Sequence, residues 1–443
     1  MKIKQHLLFF ALLFLSPSLL YSQQPEWALN QAEYFQQKSL LTQNFVYEPG
    51  IKTVMLYPRL SGTPKDILQA PVVPVYQSDR LVLEFDEFGD DADYYRAKIL
   101  HCNHDWSISN QQAIEYLTEY NEFSLDDFAF SINAKVPYVH FRFQLPKVKL
   151  SGNYLLVIYR EGDESDLIIT RRFMVFEEQV SVSGSVQEGL GNEGFRRKQK
   201  VDILVNYKDF QLINPKENIK LTIRQNYRWD NAIYNLPPLY VKEFQKQLDF
   251  QYFNDENTFD GGNEFRVFDF RSFTNTGINI QKVDQIGNAN RVYLHEDKSL
   301  EGRVYNQRQH MEEFNGAYYI DHYESRDGAR ESDYAEVHFN LALPNPLENE
   351  VYIFGGFSDW QLRKEYQMLY NDEKAAYEGK ILLKQGVYNY FYTIYNPSTQ
   401  QKNDLLIEGN HSQTRNEYDV LVYYRPLQAK GDRLIGYLRI KTP

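Results

Sequence analysis

The chain has 443 residues, 42% of them hydrophobic, a length that suits two to four domains with sizeable cores. Its formal charge of −12 argues against a nucleic-acid binder and against a cationic grip on anionic lipid, both of which need basic patches. Tyrosine (35) and phenylalanine (29) are abundant, and aromatic side chains fit pleated, half-buried surfaces, so the composition leans towards β-structure.

The first 22 residues read as a secretory signal. Lys2 and Lys4 precede an apolar run from Leu7 to about Leu15, then Pro17, and small Ser22 stands before Gln23. Leu20 occupies the place where a second small residue is expected. The run is short for a bilayer span, and no cysteine lies nearby to carry a lipid. No other long apolar run follows, so the expectation is an exported, soluble chain with no direct membrane insertion. Its one cysteine, Cys102, allows no intrachain disulfide, so stability must come from cores.

Three β-rich blocks follow in order, with expected domains at 23–178, 179–330 and 331–443. The first contains "IKTVMLYP", "RLVLEFDEF", "YYRAKILHCNHDW" and "YVHFRFQLP". In the last of these, Val139, Phe141 and Phe143 share one face. "SGNYLLVIYREGDESDLIITRRFMVFE" reads as a hairpin turning at Gly162 to Asp166, and its Gly152 and Tyr154 resemble the corner of immunoglobulin-like sandwiches. "SNQQAIEYLTEY" is a short helix or an irregular loop. In the second block, "VSVSGSVQ" crosses the glycine-rich "EGLGNEG" into "KVDILVNY"; "NIKLTIRQNY" follows, and "NEFRVFDFRS" is a strand of ambiguous face. The third block holds "YAEVHFNLALP", "EVYIFGGFSDW", "YEGKILLKQGVYNYFYTIY" and "NEYDVLVYYR". Strands at this spacing predict an all-β chain of tandem immunoglobulin-like or early-set sandwiches rather than a βαβ fold.

"ILHCNHDW" (Ile99 to Trp106) concentrates two histidines, an aspartate and the cysteine. Continued as a strand, it sends His101, Asn103 and Asp105 to one face and Leu100, Cys102, His104 and Trp106 to the other. Zinc needs three or four convergent donors, and each face offers two, with His140 or Asp86 as outside partners that nothing in the sequence requires. A nucleophilic cysteine needs a base and an activating environment; His104 on the same face is the one candidate. The bland alternative is a half-buried strand ending in a turn, with Cys102 as a small buried hydrophobe and Trp106 as a packing aromatic. There is no Walker loop, H-E-x-x-H or G-x-S-x-G. "GLGNEG" is expected to be a hairpin turn not followed by a helix, and "ENTFDGGNE" lacks regular cation-ligand spacing. No catalytic residue, metal or cofactor is expected.

Near the C-terminus, "NEVYIFGGFSDWQ", "YEGKILLKQGVYNYFYTI" and "NEYDVLVYY" resemble the glycogen-binding type of early-set sandwich, through Gly356, Phe357, Trp360, Gly386, Tyr388, Tyr390 and Tyr392. Sugar-binding members carry a second tryptophan after the aromatic strand, where this chain has "YNPSTQQKND". Trp360 and Phe357 are therefore candidate contacts for a carbohydrate or for a partner protein. Over nearly the whole mature chain, "SGNYLLVIYREGD", "GGNEFRVFDFRS", "VYIFGGFSDW" and "LLKQGVYNYFY", in that order behind a signal, resemble the plug protein family of the type IX secretion system. That resemblance implies a non-enzymatic periplasmic subunit associated with the outer-membrane complex. Its partner would be the large translocon barrel, whose periplasmic mouth it closes when idle. The alternative is an exported carbohydrate-binding protein. Tyrosine richness suits a broad contact surface, or simply strands.

Overall fold

The computed structural model of the chain describes residues 38–442 except 288, 306–312 and 326. The expected signal, 1–22, lies outside the described residues. The structure is nearly all β, arranged as three units, each with its own apolar core.

In the first unit, two sheets face each other. One carries the hairpin Gly152–Arg160 and Leu167–Phe176, flanked by Tyr95–Cys102 and the short strand Phe123–Ser124 on one side and by Phe45–Val46 and Val72–Pro74 on the other. The other orders Ile51–Pro58, Leu81–Phe88, Tyr138–Gln144 and Phe128–Phe130. The alternation of "YVHFRFQ" is realised: Val139 and Phe141 are fully buried and Phe143 nearly so, in one core with Phe85 and Phe173. The "SNQQAIEYLTEY" segment forms a single helical turn, Ala113–Tyr116, closed by the Gln112 amide donating to Glu115 Oε2 at 2.7 Å.

The second unit opens with Ser181–Glu188 paired along its length to Lys198–Asn206. Between them the glycine-rich segment is not a plain turn but a seven-residue helix, Gly191–Arg197. The sequence reading placed no helix there, because two glycines within seven residues depress helix propensity. The facing sheet orders Ile233–Leu236, Ile219–Gln225, Glu417–Tyr424 and Arg433–Lys441. The last two strands of the chain thus return to the second unit, with Ile219 opposite Tyr424 and Gln225 opposite Tyr418.

The third unit is one eleven-stranded sheet that curls around a single core. Gly386–Asn396 is its longest strand, held between Glu350–Phe354 and Arg266–Asp269. Tyr334–Ala342 pairs with Ala376–Lys384 and, in parallel, with Ala289–Leu294. Val292, Val337 and Ile381 from one half meet Val351, Tyr388 and Phe391 from the other.

The serial boundary expected at 330 therefore does not separate the sheets. Strands 266–269, 280–286, 289–294 and 318–320 belong to the third unit, and 417–424 and 433–441 to the second. Period-two patterning specifies that a strand has a buried face, not which sheet completes it. "EYDVLVYY" is buried at every position because both its faces are covered: Tyr418, Val420 and Val422 line the second core, while Leu421 and Tyr423 pack on the first unit. The third strand of the glycogen-binding resemblance thus lies in a different unit from the other two.

Candidate functional site: joints between units and an outer aromatic surface

Strand Tyr95–Cys102 ends where the "HCNHDW" stretch turns, the Asn103 amide donating to Ser107 O at 2.8 Å. Leu100, Cys102 and Trp106 pack in a cluster with Leu155, Val157 and Met174, against Leu421, Tyr423 and Leu434 of the second unit. The two histidines diverge. Buried His101 lies 2.8 Å from Ser109 Oγ, and burial pushes its imidazole down to about 4, so it is neutral at pH 7. His104 reaches Asp432 of the second unit at 2.7 Å. Burial pushes the Cys102 thiol up to about 12, the reverse of what a nucleophile needs. Gly152 has φ +149°, and a Cβ there would lie 2.4 Å from His101 Nε2 and 3.2 Å from Asp432 O, so the close approach depends on glycine. Among the described residues, no three His, Cys, Asp or Glu side chains gather as a metal site.

His140 and Asp86 do meet, 2.7 Å apart, but in the opposite sheet from Cys102 and with a different partner. Asp86 also accepts from Lys384 Nζ and from the Tyr334 hydroxyl of the third unit, each at 2.6 Å. Lys384 Nζ lies 4.0 Å from the centroid of the Tyr138 ring. Burial alone would raise the Asp86 carboxyl, but Lys384 and His140 more than offset it and hold it below the usual carboxylate range. The same seam is sewn by the Lys135 amide donating to Asp333 at 3.0 Å and by Tyr138 Oη donating to Ser332 O at 2.7 Å.

Trp360 and Phe357 also sit at or behind a joint. After Glu350–Phe354 the chain makes a tight turn, Gly356–Ser358, and Asp359 and Trp360 adopt left-handed backbone (φ 53° and 58°). Half-buried Trp360 meets Phe354 and Phe265 edge-on at 5.7 and 6.1 Å. Arg228 of the second unit covers the ring, its Cζ 4.6 Å from the centroid. Arg228 is fixed by Asp230 and Asp404, which Lys402 also bridges at 2.7 and 2.8 Å. Phe357 packs inward on Tyr366 and Tyr388, both at 5.9 Å. The Arg228 guanidinium thus occupies indole surface that a stacked sugar would need. Beside this joint runs a groove of about 680 Å³ lined by Gln225, Asp260, Asn263, Gln401 and the Arg228–Asp404 cluster. Burial raises the Asp404 carboxyl, yet Lys402 and Arg228 hold it well below its ordinary range, so it is no general acid.

Most tyrosines are interior, Tyr388, Tyr390, Tyr392, Tyr418 and Tyr423 among them. Exposed aromatics are spread over the surface, Tyr76, Tyr94, Tyr120, Phe195, Phe253 and Tyr323 among them. The hairpin Tyr240–Lys242 and Gln247–Asp249 carries Phe244 fully exposed at its tip and Tyr240 exposed on its first strand. The first unit shows Phe128 and Phe130 on a three-residue edge strand.

A family model for the first domain of the type 9 secretion system plug protein matches residues 51–177, the body of the first unit. The crystal structure of a hypothetical protein from Parabacteroides merdae is similar over 91% of this chain and 100% of its own, at 30% identity and a TM-score of 0.84. The chain belongs to the type 9 secretion system plug family. Plug-family membership carries a plug-like role in that system and an envelope location. No curated protein matches the chain.

In this plug-family chain the sequence reading named Trp360 but missed the arginine above it, and named Asp86 and His140 but missed Lys384. Each missing partner comes from another unit, 132, 298 or 244 positions away by residue number. The Phe244 hairpin had a local signal that went unused, an aromatic between two lysines within "YVKEFQKQLDF". No helix among the described residues is long and apolar enough to cross a membrane.

Proposed function

We propose that the protein acts without catalysis as a periplasmic plug, binding the large outer-membrane translocon barrel of the type IX secretion system and closing its periplasmic mouth when idle. The match of residues 51–177 to the plug first domain carries this reading. Its physical support is that the three β units are tied to one another by buried ion pairs and one shared apolar layer. Such a body can cover an opening without deforming. The exposed aromatics of the Phe244 hairpin and of the Phe128–Phe130 edge are the contact surfaces it offers, since aromatic anchors carry disproportionate interface energy. A net charge of −12 favours a basic rim on the partner and speeds encounter.

Affinity purification of the tagged native protein, with conductance measured across membranes that contain or lack it, tests the proposal. The expected result is co-purification of the barrel and a leak when the protein is missing. A barrel that never co-purifies, together with unchanged conductance, would sink it.

A further inference from the structure

We propose that the strand Ser181–Glu188, at the edge of the second unit, takes on an extended segment of the translocon barrel as a further β-strand. The identity of the partner rests on the plug reading above, while the docking edge rests on the strand itself. Ser181–Glu188 ends its sheet and pairs with Lys198–Asn206 over all eight residues without a register shift. Alternate residues of an antiparallel strand turn their amide and carbonyl outward, so about four of the eight offer both to another strand. Among the described residues, the main chain of this strand bonds to nothing but Lys198–Asn206. Just before it, the Gln179 and Val180 amides donate to Ile435 O at 3.0 and 3.3 Å and anchor its start. All of its residues but Val182 and Val186 are exposed.

Natural sheets guard their edges with brevity, bulges, charge or proline. The other strands that end a sheet follow that rule. Ile51–Pro58 has a register shift after Lys52 and closes on proline. Ile280–Ile286 has a register shift and carries Lys282 and Asp284. Arg433–Lys441 pairs across a register shift and carries Arg433, Arg439 and Lys441. The remaining end strands are four residues long or shorter. Ser181–Glu188 alone has no register shift, no proline and no charge before Glu188. Gly184 stands exposed at its middle, where a Cβ would lie 2.8 Å from Ile440 Cδ1 and 2.9 Å from Asp202 O. Glycine thus lets the facing sheet come close, and it leaves the edge bare where another backbone would approach.

The side chains state what kind of strand fits. Val182 and Val186 pack inward on the second core, and Ser181, Ser183, Ser185 and Gln187 form the outward row. A strand added here continues both rows, so it alternates apolar with uncharged polar side chains. β-barrel chains are built of that alternation. Main-chain hydrogen bonds supply the affinity of such an addition, and the alternate rows supply its selectivity. A second copy of this chain is the competing occupant, and a net charge of −12 on each copy opposes it.

Hydrogen exchange of the full-length protein, free and in the complex recovered with the barrel, tests the proposal. Amides within 181–188 should exchange about tenfold more slowly in the complex. Val186→Lys sets a charge on the inward row, where it reaches water while the edge is free and is trapped once a strand covers it. It should cut the barrel recovered about tenfold, whereas Val186→Thr, equally branched and uncharged, should leave recovery unchanged. Ser183→Lys/Ser185→Lys, at two exposed positions, should also lower recovery while keeping the circular dichroism and unfolding temperature of the parent, which separates lost docking from lost fold. Equal recovery of the barrel with every variant, or edge amides unprotected in the complex, would overturn the docking edge and leave the plug reading standing. A barrel that never co-purifies would overturn both. Sedimentation of the free protein decides the competing occupant: a dimer that Val186→Lys dissociates, with the edge amides already protected, assigns the edge to a second copy and ends the proposal.

Discussion

The first unit meets its two neighbours through unlike surfaces. Against the second unit it lays down an apolar layer, Leu155, Val157 and Met174 on Leu421, Tyr423 and Leu434, with Arg172 stacked between Trp106 and Trp229 at 4.3 and 5.3 Å. Against the third it presents a buried polar network centred on Asp86, Lys384 and Tyr334. An apolar layer gains from every square ångström and tolerates small shifts, whereas a buried ion pair offsets its desolvation only when its geometry is complete. The second unit is therefore welded to the first, and the third is keyed to it.

The largest expected effect comes from breaking the key. Lys384→Met leaves the Asp86 carboxylate buried and short of its cation, and should cost about 3–5 kcal/mol in urea unfolding. Adding Asp86→Leu to that variant should restore much of the loss. A double variant no better than the single one would show that the pair is not coupled as described. On the welded side, Leu421→Ala removes a fully buried side chain and should cost about 3 kcal/mol, with no rescue by any change at Asp86.

Acid sharpens the contrast. His101 titrates near 4 in the folded chain and near 6.5 unfolded, so between those values the unfolded state binds the extra proton. Stability should fall as pH drops from about 6.5 to 4, by roughly 3 kcal/mol in all, and His101→Gln should flatten that slope. Asp86, whose folded pKa is depressed, contributes fully above its unfolded value of about 3.9 and loses that contribution only below it. The keyed joint should therefore persist through the His101 transition and fail at lower pH. Hydrogen exchange at amides of both joints, followed across pH, checks the order.

Smaller effects follow. Arg172→Met removes the cation between the two indoles and should cost about 1–2 kcal/mol while altering tryptophan fluorescence. Phe244→Ser, at a fully exposed tip, should change stability by no more than about 0.5 kcal/mol, yet reduce the barrel recovered in the purification. Undiminished recovery would remove this hairpin from the contact surface.

Much of the architecture was legible along the chain. The hairpin from Gly152 to Phe176, the alternation of Val139, Phe141 and Phe143, and the packing of Cys102 and Trp106 all follow from period and side-chain type over a few residues. "NEFRVFDFRS" looked ambiguous because both its faces are buried: Phe268 and Phe270 enter the third core, Val267 joins a separate cluster with Tyr319, and Arg266 finds Glu408 at 3.0 Å. Partnership was not legible. That Glu417–Tyr424 completes the second unit, that Arg228 lies over Trp360, and that Lys384 reaches Asp86 are all contacts between residues 132 to 298 positions apart.

By itself, then, the sequence determined an all-β chain and most of its strands, because hydrophobic period and turn chemistry act locally; the order of its motifs carried the resemblance to the family. Only the tertiary structure decided which strands share a sheet, which charges are buried together, and which aromatics remain outside. Those outcomes depend on which distant surface arrives to cover each face, and the pattern of a single strand carries no information about that.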